Sequence, residues 1–321
     1  MESKDTLRLP TGLLSSAAVW TTSRLLLGTL ALLAVAIIAP SPSHAARRNL
    51  KYRLPADAIE SLQFEVQHTV STRFDTLPPE AEPYDVDALQ ASLAEVKTVL
   101  SGRIERVVGR VFRDSSLGLV SRVIDLEGTI DRGEGPVEAS WDGLEGKSVS
   151  MRVLASGELL ASTGWSHIAG AARGGDAVYA VLLQSVLRLP FDLPANGGAM
   201  PLAFRSRVPL DPLLNLDRNW NLSFRAVEPP AGCGRRCVAM DYTGSVTEVA
   251  VDAHPARPMK RESAAVVSGV IVLDNKVGFV KDHSFEIRWT HAVESLRENG
   301  TTRAAVAQEQ VTTGRIFEAT E

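Results

Sequence analysis

From residue 62 onward the chain alternates between apolar and polar side chains. Leu62, Phe64, Val66, His68 and Val70 are separated by Gln63, Glu65, Gln67, Thr69 and Ser71, the period-two pattern of a strand with one face on a core. Trp220, Leu222, Phe224 and Ala226 repeat it against Asn219, Asn221, Ser223 and Arg225. Phe285, Ile287 and Trp289 repeat it against Ser284, Glu286, Arg288 and Thr290. Ile124, Leu126 and Ile130, and then Val149, Met151 and Val153, behave likewise. One-sided alternation belongs to antiparallel sheets with a buried face and a wet face. Turn residues with a glycine able to take positive φ part these runs at Asp114–Gly118, Ala155–Gly157 and Asp274–Gly278. The pattern therefore predicts a mainly β chain: a curved antiparallel sheet, or sheets left open like an unfinished barrel, carrying two helices.

The first helix is expected over Val86–Leu100. There Asp85 or Asp87 caps a stripe of Val86, Leu89, Leu93, Val96 and Leu100. The second is expected over Ala177–Arg188, capped by Asp176 and stopped by Leu189 and Pro190. It is apolar nearly all round, so it should lie sandwiched. Val178, Val181, Leu182, Leu183 and Val186 make it a candidate lid over the concave face of the sheet, with Gly174, Gly175 and Pro190 as breaks on either side. A Pro-rich connection, Pro190 to Pro212, is expected along one sheet edge. The tails, Ala46–Asp57 and Gly314–Glu321, are expected to be loose.

The apolar run Leu25–Ala39 follows Arg24 and ends before Pro40 and Pro42. At fifteen residues it is short of the roughly twenty that span a bilayer and suits a signal-peptide core. Ser43-His44-Ala45 supplies small residues for a peptidase, which places cleavage between Ala45 and Ala46. The expected organisation is a signal peptide, 1–45, then one β-rich domain, 46–321, or two halves joined at about 190–212. An uncleaved anchor is the alternative, and it would be the chain's only tie to a membrane. Arg47, Arg48, Lys51 and Arg53 speak for that alternative. Export to the periplasm or the exterior changes how the two cysteines read. Cys233 and Cys237 are alone in the chain and in an oxidising compartment predict a disulfide.

Composition adds bounds. Hydrophobic content of 45% and charged content of 22% leave ample material for a core. The net charge is −4, and the basic residues are interspersed with acids, so no phosphate-binding face and no nucleic-acid partner is expected.

Several motifs together resemble a family of exported bacterial β-rich proteins of unknown function. They are the export signal, the strand opening at Leu144-Glu-Gly-Lys147 with its hairpin Gly157, the Leu189-Pro190 and Leu193-Pro194 pair, the Trp220 strand, and the Gly269–Asp274 hairpin closing on Gly278. The Gly-acid pair that the family often carries before this tryptophan is absent, since the run here is Leu216-Asp-Arg-Asn-Trp220. The resemblance implies a fold and no catalytic residues.

No catalytic motif is found. Ser166 lies in Gly164-Trp-Ser-His-Ile168, where Ile stands in place of the second glycine of a nucleophile elbow. No metal-binding helix, phosphate loop or calcium loop is present, and no cofactor is implied. His68, His283 and His291 fall on apolar strand faces, where a histidine is usually a core or rim residue with a hydrogen-bond partner. The expected function is that of an exported, non-enzymatic envelope or secreted protein acting by binding or structural contact, with an envelope component as one expected partner. Two alternatives are a carrier of an apolar ligand such as lipid and an extracytoplasmic hydrolase whose site comes from distant residues.

Overall fold

A computed structural model describes residues 47–48, 50–76, 93, 95–169, 171, 174–190, 192–194, 197–211, 214–231, 233, 236–250, 259–276, 278–296 and 302–319. The leader, the expected cleavage site at Ala45 and Ala46, and residues 77–92 lie outside them. Among the described residues fourteen strands run in chain order: β1 (Arg47–Arg48), β2 (Ile59–Thr76), β3 (Val96–Val111), β4 (Leu117–Asp131), β5 (Val137–Glu138), β6 (Ser148–Val153), β7 (Leu159–Thr163), β8 (Leu193–Pro194), β9 (Met200–Asp211), β10 (Leu214–Val227), β11 (Cys237–Ala250), β12 (Met259–Asp274), β13 (Phe279–Leu296) and β14 (Thr302–Glu318). Among the described residues two helices, α1 (Trp165–Ala169) and α2 (Gly175–Gln184), sit between β7 and β8.

Eleven strands of one antiparallel sheet follow the order β7-β6-β4-β3-β2-β14-β13-β12-β11-β10-β9, and short β5 pairs with β4 beside this path. Most neighbours in this path are also neighbours in sequence, so the sheet is built by tight turns. The main exception is β2 against β14, which joins the two termini. The sheet curls until β7 and β9 approach each other, and it is nearly closed into a barrel. The fold is thus the mainly β, barrel-like sheet with two helices that the alternation predicts.

The inner face holds the alternating apolar residues. Leu62, Phe64, Leu100, Ile104, Leu222, Phe224, Met240, Phe285 and Ile316 are all buried. Their polar neighbours Glu65, Gln67, Asn221, Arg225, Arg288 and Thr290 are exposed on the outer face. The second expected helix forms where the stripe placed it and ends earlier, at Gln184; most of the first, Val86–Leu100, lies outside the described residues, and only its C-terminal end can be placed. Val96 and Leu100 lie in β3, not in a helix. There the alternation Val96, Thr98, Leu100 pairs in register with Val70, His68 and Val66 of β2, and these sheet hydrogen bonds override the leucine stripe.

The termini also differ from expectation. Gly314–Glu318 completes β14, with Ile316 buried. Arg47 and Arg48 pair with β8. Leu50, Tyr52 and Leu54 are buried in the core, so this stretch straps one end of the barrel. The strap passes close to the turn at Gly278, whose φ is 73°. A Cβ there would lie 2.4 Å from the Arg53 nitrogen and 2.6 Å from the Lys51 oxygen, so only glycine allows the crossing. The Pro-rich connection contributes β9 at the edge of the sheet. Cys233 and Cys237 form a disulfide at the turn between β10 and β11.

Candidate functional site

Helix α2 lies inside the barrel, and its C-terminus is clamped from three sides. Carbonyls in the last turn of a helix have no partner within it. Here His283 Nδ1 donates to the Gln184 carbonyl at 3.1 Å, Arg106 Nη2 to the Ser185 carbonyl at 3.1 Å, and the Tyr52 hydroxyl to the Leu187 carbonyl at 3.0 Å. Since a carbonyl only accepts, His283 carries its proton on Nδ1, and Nε2 accepts from the Tyr242 hydroxyl at 2.9 Å. Complete burial lowers the His283 pKa to about 4. Arg106 is itself buried and paired with Glu60 at 2.8 Å.

The N-terminus of α2 is set differently from expectation. The cap is Gly174, with φ of 67° and no side-chain capping bond, while Asp176 lies in the first turn. A Cβ on Gly174 would meet the Trp141 ring at 2.5 Å, so the tryptophan packs where a capping side chain would stand.

One face of α2 is left against open volume. Asp176, Tyr179, Ala180, Leu183 and Gln184, the i, i+3, i+4, i+7, i+8 positions, line a cavity of about 220 Å³. Its other walls are His68 from β2, Arg218 and Trp220 from β10, Glu248 from β11, Ile287, Trp289 and His291 from β13, and Gln310 and Thr312 from β14. Of the candidate lid residues, Leu183 alone faces this volume. Val178, Val181 and Leu182 are buried in the core, and Val186 packs partly against it.

Strand register gathers the polar wall. Arg218 pairs across the sheet with Glu248, Glu248 with Ser263, Ser263 with His291, His291 with Gln308, and Gln308 with Thr72. Six adjacent strands thereby carry one belt of polar inward side chains. Arg218 Nε donates to Glu248 Oε2 at 2.6 Å, and both residues are at least 95% buried. The guanidinium sits 5.3 Å from the centre of the Tyr179 ring and 5.2 Å from that of Trp289. Trp289 also stacks on His291, and Ser263 Oγ is 2.6 Å from His291 Nδ1. The Tyr179 hydroxyl lies beside the Arg218 guanidinium but short of hydrogen-bond geometry. Burial raises the pKa of that phenol more than the neighbouring guanidinium lowers it.

On the side nearer β2, His68 Nδ1 is 2.8 Å from Thr312 Oγ1. His68 is 5% exposed, and its Nε2 is buried without a hydrogen-bond partner. Burial lowers its pKa and the Asp176 carboxylate pulls the other way. An unmet buried polar atom is costly to the fold.

Sequence reasoning placed His68, Trp220, Trp289 and His291 on inward faces but did not join them. Arg218 and Glu248 went unnoticed, although each breaks the apolar alternation of its strand at an inward position. Ser166 and His167 are exposed on α1. Among the described residues no three His, Cys, Asp or Glu side chains converge as a metal site.

No family model matches the chain, and no curated protein matches it. Solved structures align over much of its length. A BenF-like porin from Pseudomonas fluorescens Pf-5 is 8% identical, with 82% of this chain and all of that chain covered, at a TM-score of 0.17. Pseudomonas aeruginosa OccK11 is 6% identical over 84% of this chain and 100% of its own, at 0.19. An outer membrane channel from Pseudomonas putida F1 is 9% identical over 86% and 99%, at 0.18. At such scores these likenesses carry no argument about role.

Proposed function

We propose that this chain is an exported, non-enzymatic binding protein of the cell envelope or exterior, holding a small polar ligand inside its barrel against α2. The observation that carries the reading is the cavity beside α2, walled by the polar and aromatic side chains of Asp176, Tyr179, Arg218, Trp220, Glu248 and Trp289. At about 30 Å³ per liquid water the void would hold roughly seven waters. It is smaller than the usual range for drug-sized ligands, so the fitting ligand has a single ring.

The outer face supports a water-bathed barrel. A barrel in a bilayer needs an apolar band facing outward, whereas Glu65, Gln67, Asn221, Arg225 and Arg288 are exposed there. Among the described residues no helix is long and apolar enough to cross a membrane. A lipid carrier is less well supported than a binder of polar molecules, because the leucines and valines of α2 fill the apolar interior themselves and the open volume has mixed walls. A hydrolytic role is less well supported, because the one hydroxyl beside a histidine at the cavity, Thr312 against His68, belongs to a residue that is almost fully buried. Ser263, the serine beside His291, is not among the lining residues, and Ser166 is out on α1.

The test is a screen of single-ring polar compounds, read by nuclear magnetic resonance at the indole N–H groups of Trp220 and Trp289. Saturable shifts at these two, lost when Ala180→Leu fills the void, are the expected result. If no compound moves either indole, the cavity is only a packing defect and the reading falls.

A further inference from the structure

We infer that the outer face of the sheet carries a second binding surface: a furrow across β14, β2, β3 and β4 that takes an extended basic peptide of another protein. It is separate from the cavity beside α2, so the interior reading stands or falls without it.

Strand register builds the furrow. One inward row runs Phe285, Gly314, Val66, Leu100 and Gly128 through directly paired positions of β13, β14, β2, β3 and β4. Its two glycines leave no side chain on the inner face. A Cβ on Gly314 would lie 2.5 Å from the Phe285 ring, and one on Gly128 would lie 2.1 Å from the Val99 carbonyl oxygen. Glycine at such positions lets a sheet bend, and the outer face opposite this row is hollowed into a space of about 990 Å³. The two outward rows on either side form its walls. One is Arg315, Glu65, Ser101 and Glu127, and the other is Thr313, Gln67, Val99, Thr129 and Glu138.

Shape and charge both point to the occupant. From β14 to β5 the second wall crosses four strand spacings, about 19 Å, which an extended chain of about six residues covers. Val99 is 43% exposed in that wall and offers an apolar contact between the charges. Glu65, Glu127 and Glu138 are exposed on the walls. Among the described residues the one basic side chain lining the furrow is Arg315, and Asp282 already holds it through two hydrogen bonds at 2.9 and 2.7 Å. No cation among the described residues is bonded to the three glutamates. An acidic segment would enter against them, whereas a basic one would complement them.

Three capped and labelled hexapeptides test this, alternating Lys-Ala, Gln-Ala and Glu-Ala, each titrated with the purified protein and read by fluorescence anisotropy. The Lys peptide should bind about tenfold more tightly than the Gln peptide, the effect of three exposed ion pairs, and the Glu peptide should not bind. Raising salt from about 20 to about 200 mM should erase most of that difference. Glu65→Gln, Glu127→Gln and Glu138→Gln together should remove the preference and leave the thermal unfolding midpoint unchanged. Ser101→Trp, which fills the furrow and keeps every charge, should weaken the Lys peptide as well. If no peptide binds, if the Gln or Glu peptide binds as tightly as the Lys peptide, or if the triple variant keeps the preference, the inference is overturned. It is overturned equally if Ser101→Trp leaves the Lys peptide bound as tightly, because the contact is then with acidic surface outside the furrow. A dimer of the protein alone that the triple variant abolishes would give the furrow to a second copy and overturn the peptide assignment.

Discussion

Arg106 and Arg218 are both held inside the barrel against a carboxylate, and their surroundings assign them different work. Arg106 joins Glu60, the Ser121 hydroxyl and the Ser185 carbonyl, so it ties β2, β3 and β4 to the end of α2. Burial pushes the Glu60 carboxyl up despite the pull of Arg106, which means that desolvation outweighs attraction at this pair. Arg106→Gln should therefore cost about 3–5 kcal/mol, the penalty for stranding a buried charge. The double change Glu60→Leu with Arg106→Met should recover much of that loss. Urea unfolding of the three proteins decides it, and a double variant as unstable as the single one would contradict the argument.

His283 gives a pH dependence at the same scale. Its pKa of about 4 in the folded chain lies below the 6.5 of a free imidazole, so the unfolded state binds the proton first. The stability held by the neutral ring is complete above pH 6.5 and is lost as pH falls toward 4, by up to about 3 kcal/mol. His68, also lowered by burial, adds in the same direction. His283→Gln should flatten the fall in unfolding midpoint between pH 7 and 4.5. An unchanged slope would assign it to other groups.

Helix α2 is expected to act as a fixed plug. Its C-terminal carbonyls receive donors from the strap before β2, from β3 and from β13, and its buried face is part of the core. Leu182 is fully buried, so Leu182→Ala should cost about 2–5 kcal/mol. Leu182→Asp should cost more, because the carboxylate would have no partner there. Were α2 a lid that opened to solvent, both changes would be far milder, and thermal unfolding distinguishes the two cases. The disulfide works on a smaller element. Cys233 and Cys237 are four residues apart, and closing so short a loop is worth about 2 kcal/mol at most in the chain-entropy account. Reduction should lower the unfolding midpoint modestly and leave the circular dichroism of the sheet intact. Collapse of the β signal on reduction would show that the bridge holds more than its turn.

Over the whole molecule the inner face divides into two zones. One end is mainly apolar apart from the Arg106–Glu60 pair, packed by Phe64, Phe224, Met240, Phe285 and Ile316 and strapped by Leu50, Tyr52 and Leu54. Toward the other end the inward rows turn polar through Thr72, Gln308, His291, Ser263, Glu248 and Arg218. The strap starts directly after the expected cleavage point, which makes export testable in one step. N-terminal sequencing of protein recovered from the cell exterior or periplasm should begin at Ala46, and a full-length membrane-bound product would favour the uncleaved anchor.

Much of this molecule was written locally. Period-two alternation set the strands and their buried faces, glycines marked the turns at Gly157 and Gly278, and two lone cysteines marked their bridge, whereas in the turn before β4 it is Ser115 and not Gly118 that takes positive φ. Each depends on neighbours within a few residues, so a single chain displays it. The end of β14, the strap and the strand fate of Val96–Leu100 did not show, because long-range pairing decided them: β2 against β14 and β3, and Arg47 against Pro194. The candidate site was hidden for the same reason. His68 and Thr312 are 244 positions apart, and Arg218 meets Glu248 only because β10 and β11 pair in one register. Alternation fixes which face a side chain takes, but pairing register and barrel curvature decide which residues meet across it. Those depend on the closure of the whole sheet.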